Sequence, residues 1–213
     1  SVFQGSIRPN TYVGLAAAAA LYGKTGVALT SVCVAVVVPL VNFLSVLAML
    51  AFGEGERPKG VLALAKPVVA NPLINACLLG LALNLLGVSL PSFILRFLDI
   101  LAGASLPMGL LAVGAGVDLR SLSRAGVPVF ISSALKMLAL PLATLWLLKE
   151  FSLGAEALYS GFLYATLPCS ASSYVLARQM GGDAPLMASI ISVQTVLAMG
   201  SMPLLLILFG FSS

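Results

Sequence analysis

Histidine is absent from the 213 residues, and charge of either sign is scarce: 11 Lys and Arg against 7 Asp and Glu, 8% in all. The first absence removes a His-based proton relay, a His-ligated metal and any Ser-His nucleophile pair. The second argues against an ordinary soluble domain, which carries about 25% charged residues. Cysteine is also sparse. Cys33, Cys77 and Cys169 all lie in apolar runs without zinc-like spacing, so they read as small buried hydrophobes rather than a disulfide framework. The few acids are scattered, which removes paired-carboxylate catalysis. HExxH, GxxxxGK[ST] and Asp-rich motifs are missing as well. No enzyme activity, metal or cofactor is therefore expected. A net charge of +4 without a basic, aromatic-bearing patch gives no reason to expect a nucleic-acid partner.

What is present is apolar. Hydrophobic residues make up 60% of the chain and the mean hydropathy is +1.11. A helix needs about 20 apolar residues to cross a bilayer. The apolar runs predict seven spans, at roughly 2–22, 27–52, 67–87, 92–117, 127–148, 155–179 and 184–210. Charged or glycine-rich stretches at Gly53–Gly60 and Asp118–Gly126 separate them most clearly. The chain opens within an apolar run at Ser1, without Met, and is expected to be a piece of a longer protein.

Two of these runs are broken by a proline followed by small polar residues. The first reads Arg8-Pro9-Asn10-Thr11, and the second Pro168-Cys169-Ser170-Ala171-Ser172-Ser173. Proline removes a backbone donor and clashes with the preceding turn. In a bilayer the freed carbonyl needs a partner inside the protein or a water-filled cavity. A pair of such breaks points to a transporter's substrate site.

Orientation follows from Lys and Arg, which accumulate in cytoplasmic loops. Arg57, Lys59, Lys66, Arg120 and Arg124, with Arg178 at the border, follow the second, fourth and sixth spans. Only Lys24 and Lys149 lie on the opposite side. The richer side is assigned to the cytoplasm, which places the C-terminus outside. The first and sixth spans then cross in opposite directions, as in an inverted-topology repeat. Pro9 and Pro168 are 159 residues apart, and at that offset Thr11 meets Ser170 and Gly23 meets Gly182. Residues 67–213 are expected to form a five-span unit, 1–52 the last two spans of a preceding unit, and 53–66 a cytoplasmic linker.

Charges and polar groups within spans are the candidate site residues. Arg8 suits a carboxylate if its guanidinium faces a cavity; the alternative is a snorkelling side chain at a helix entry. Lys136 lies too deep in the fifth span to snorkel fully, and should face the bundle interior. Arg96 and Asp99 share a helix face and read first as a structural pair. Asp99 is also the one acid well inside a predicted span, Glu156 lying at the edge of the sixth, and so the candidate for ion coupling. Pro9, Asn10 and Thr11 at the first break, with Pro168, Ser170, Ser172 and Ser173 at the second, offer half-helix N–H groups and side-chain hydrogen bonds to an anion. The bland reading is helix capping or helix–helix glue. Gln194 and Thr195 in the last span carry the same two readings.

Together with FQGSIRPNTYVGLAAAAALYGKTG (3–26), ANPLINACLLG (70–80), ASLPMGLLAVGAGVDL (104–119), SALKMLALPL (133–142) and LPCSASSYVLARQMGGDAPLMASIISVQT (167–195), these features resemble the auxin efflux carrier family. That family includes plant auxin exporters and bacterial organic-acid permeases. The resemblance implies an all-α integral membrane fold of ten spans in two inverted five-span repeats, with two proline-broken helices that cross. This chain would hold the last seven spans. The family's crossover proline and asparagine positions match Pro9, Asn10 and Pro168. The second proline common in relatives is absent from Gly14-Leu15-Ala16-Ala17, and Arg8 makes the bacterial type the closer likeness.

The expected function is alternating-access transport of a small organic anion, a mono- or dicarboxylate such as malate or malonate, or an auxin-like acid. The expected setting is a bacterial inner membrane, with the lipid bilayer as a partner and a homodimer as an open alternative to a monomer. Rival readings are a sodium-coupled symporter of the bile-acid type and, from another class, a non-transporting membrane subunit or integral membrane enzyme.

Overall fold

The computed structural model describes residues 1–52, 72–115, 126–151 and 153–211. The predicted 53–66 linker lies outside the described residues, as does the Asp118–Gly126 stretch apart from Gly126. The described chain is helical almost throughout, and the only β-type pairing within it is an isolated bridge between Pro9 and Cys169. Three helical stretches among the described residues, Thr11–Met49, Val127–Glu150 and Ala184–Leu208, are long and apolar enough to cross a membrane. The protein is a multi-pass membrane protein.

A short helix α1 (Val2–Ile7) ends at Arg8, whose backbone is extended. The chain resumes as α2 (Thr11–Phe52). Asn10 caps this helix: its Oδ1 accepts the Val13 N–H at 3.4 Å. At Gly23 (φ 59°, ψ −146°) α2 reverses direction. Only glycine adopts this conformation without strain. The two limbs meet again in an apolar cluster that holds Val13 from one and Val34, Val37 and Val38 from the other. The returning limb buries one stripe, Thr30, Val34, Val38, Val41, Asn42, Ser45, Val46 and Met49, at three- and four-residue spacing. The predicted first and second spans are thus one broken helix and its tightly joined neighbour.

Helices α3 (Pro72–Leu85) and α4 (Ser92–Ala115) correspond to the third and fourth predicted spans, and α4 continues through Pro107. The fifth span is composite: α5 (Val127–Ala134), a π-turn (Leu135–Ala139) and α6 (Leu140–Glu150). Pro141 lacks the N–H that a regular helix would donate to the carbonyl four residues back, and the wider π-turn accommodates that defect. The sixth span is α7 (Ala155–Ala165), a break, and α8 (Ser172–Gln179). The seventh is α9 (Ala184–Leu208), capped by Asp183 Oδ1, which accepts the Leu186 N–H at 2.8 Å.

The bundle has two chemically distinct ends. At one, Ser1 Oγ donates to Asp183 O at 2.7 Å and Met49 packs against Gly182. At the other, Tyr22 Oη donates to Phe211 O at 2.7 Å within an aromatic cluster that includes Tyr159, Phe162 and Phe209. The first broken helix therefore runs from the Ser1 end to the Tyr22 end, and the second runs back.

Candidate functional site

The two proline breaks meet. Asn10 N–H donates to Pro168 O at 2.8 Å, and Ser170 N–H donates to Arg8 O at 3.2 Å. These bonds make the antiparallel Pro9–Cys169 bridge, in which each extended segment satisfies part of the other's exposed backbone. Pro9, Asn10, Pro168 and Cys169 are all buried, so the crossing lies inside the bundle.

Around it the side chains are polar and tightly organised. Arg8 is only 6% exposed. Its Nη1 donates to Gln4 Oε1 and its Nη2 to Ser172 Oγ, both at 3.0 Å. Ser172 Oγ also lies 3.0 Å from Ser170 Oγ. The Ser173 hydroxyl is buried and sits 3.3 Å from Cys169 Sγ. Lys136, on the π-turn, is 1% exposed. It and Arg8 both lie within electrostatic reach of Cys169. Among the described residues, neither cation has a carboxylate partner. Asn10 Nδ2 and Gln4 Nε2 are buried donors without a hydrogen-bond partner, and the Ser133 hydroxyl is equally unpaired.

The predicted site residues are therefore mostly brought together: Arg8, Pro9, Asn10, Pro168, Ser170, Ser172 and Ser173 at the crossing, with Thr11 buried just beyond it. Lys136 reaches the same region from α5–α6. Burial argues against a snorkelling Arg8. Asn10 does cap a helix, yet its amide nitrogen remains free. Asp99 and Arg96 lie exposed on α4, and no ion pair joins them. Gln4 and Ser132 were missed by sequence reasoning. The four-residue spacing of Gln4 and Arg8 was a signal for the first. Ser132 is reached only through the tertiary fold: its hydroxyl donates to Val2 O at 3.2 Å.

A cleft of about 490 Å³ opens beside Gln4 at the Ser1 end, lined also by Phe3, Met49, Phe52 and Asp183. The fold permits close approach here because Gly5 has no side chain: a Cβ would lie 2.6 Å from Ile190 Cγ2 and collide with Ser132 Oγ.

Crossed broken helices with buried cations inside a multi-pass membrane protein define a membrane carrier class. The membrane transport protein family matches residues 61–206, more than half of the chain, and the chain belongs to this auxin efflux carrier-like family. It is also 29% identical over 153 residues to an uncharacterized transporter of Methanothermobacter thermautotrophicus, a match covering 71% of this chain and 48% of the relative. The chain spans about half the length of that curated relative.

Proposed function

We propose that this membrane transporter moves a small organic anion by alternating access, a mono- or dicarboxylate such as malate or malonate, or an auxin-like acid. One observation carries the reading: Arg8 and Lys136 are both buried at the crossing without a carboxylate partner among the described residues. Burying an unpaired charge is costly, and a carboxylate ligand would offset that cost. Asn10 Nδ2 adds a free buried donor, and the eight-residue helix α8 begins at Ser172, beside the second break.

The antiparallel crossing and the match to half of a longer transporter support the ten-span, two-repeat architecture. The Lys and Arg distribution supports a cytoplasmic Ser1 end and an external C-terminus. In that orientation the Gln4 cleft is the inward access route.

The test is counterflow of labelled malonate, malate and an auxin-like acid in proteoliposomes of the full-length protein. Saturable exchange is expected for at least one, weakened in Arg8→Met and Asn10→Ala. Failure of all three to bind or exchange would overturn the organic-anion reading. Strict dependence on sodium would instead favour the bile-acid-type symporter.

A further inference from the structure

Each proline break releases backbone groups, and one side chain recovers a group from each. In a regular helix Gly5 O would accept the N–H of residue 9, but residue 9 is proline and has none. Gln194 Nε2 donates to Gly5 O instead, at 3.1 Å. In the second broken helix, Cys169 N–H is withdrawn from the helical ladder by the turn at Pro168. Gln194 Oε1 accepts it at 3.0 Å. The amide also lies 3.4 Å from Ser132 Oγ, which joins Val2 O in α1. Gln194 is itself fully buried within α9.

We propose that Gln194 is a positioning residue of the crossing, holding the two breaks in register from the last span. Its amide matches the need of the site: one break offers an acceptor and the other a donor, and glutamine supplies the complement of both. Glutamate keeps the acceptor and loses the donor. Leucine, of similar size, loses both. The register set by this clamp fixes the approach of Arg8, on the first break, to Ser172, on the second. The functional consequence rests on the anion-site reading above: a loosened clamp leaves the anion's polar anchors present but misplaced.

The test reads the crossing without a ligand. In full-length protein whose sole cysteine is Cys169, the rate of alkylation by N-ethylmaleimide reports opening of the second break. Gln194→Leu is expected to raise it about tenfold, and Gln194→Glu by a smaller factor. A second background whose sole cysteine is Ala18→Cys, buried toward the Tyr22 end in a separate cluster with Leu145, Phe162 and Leu206, should change by less than about twofold, since a local clamp leaves distant packing intact. Where Gln194→Leu fails to fold, Gln194→Glu carries the same comparison. Wild-type Cys169 rates in the folded variants would overturn the proposal, as would equal acceleration at the position-18 cysteine and at Cys169. In the variants malonate uptake should show a raised KM at a near-constant maximal rate. If malonate fails to bind the wild type, the anion reading falls while the labelling result still decides the clamp.

Discussion

Arg8→Met separates a binding role from a structural one because the two predict different changes in stability. The guanidinium donates to two neutral acceptors, Gln4 Oε1 and Ser172 Oγ, each at 3.0 Å. Hydrogen bonds to a charged group contribute about 1.5–3 kcal/mol each, so their loss alone would destabilise the fold. Against this stands the desolvation of a cation 6% exposed and lacking an acid partner among the described residues, which costs on the order of several kcal/mol. The two effects nearly cancel, and the melting temperature of Arg8→Met should stay within a few degrees of wild type. Anion affinity has no such compensation. Removing one partner of a buried charge pair costs about 2–5 kcal/mol, which weakens binding by about thirtyfold or more. Thermal unfolding and calorimetric titration with malonate, both on the full-length protein, measure the two quantities independently. A large fall in melting temperature with malonate affinity unchanged would refute the reasoning and make Arg8 a structural tie between the two breaks.

Lys136→Met should behave in the same direction, retaining the fold and losing anion affinity by at least about tenfold, measured by the same titration. Gly5→Ala should destabilise the protein by about 1–3 kcal/mol through its clash with Ile190 and Ser132, while Gly200→Ala, where a Cβ meets no atom within 4 Å, provides a thermal-unfolding control that stays near wild type. Gly23→Ala should lower stability by about 1 kcal/mol or more, because its φ of 59° is strained for any residue with a Cβ. If Asp99 carries a coupled proton, Asp99→Asn should abolish the response of uptake to an imposed pH gradient and leave anion affinity unchanged; retained gradient dependence would remove Asp99 from the coupling scheme.

The helical segments were legible because a bilayer sets a minimum apolar length. The described helices follow the apolar runs, and the predicted breaks at Pro9 and Pro168 fall between helices. Their meeting could be anticipated from opposed span directions, but its chemistry could not. The Asn10–Pro168 and Ser170–Arg8 bonds depend on a register between segments separated by most of the chain. The π-turn was missed because Pro141 invites several local solutions, and packing selects one. Gln194 illustrates the same limit. A lone amide in an apolar helix announces a polar partner, yet the sequence does not say which one. Gln4 stands outside the proline break itself, although its four-residue spacing from Arg8 places both on one helix face.

The reversal at Gly23 has a mechanical consequence. One non-helical residue joins the two limbs of α2, so the connection between them is short. Displacement of the first crossover toward either membrane face would draw the returning limb with it, and Met49 near the far end packs against Gly182 beside the second broken helix. The hairpin thus links the first crossover, through one glycine turn, to a contact beside the second. Inserting a flexible loop after Gly23 should therefore uncouple the two limbs while leaving the hydrogen bonds between the breaks in place.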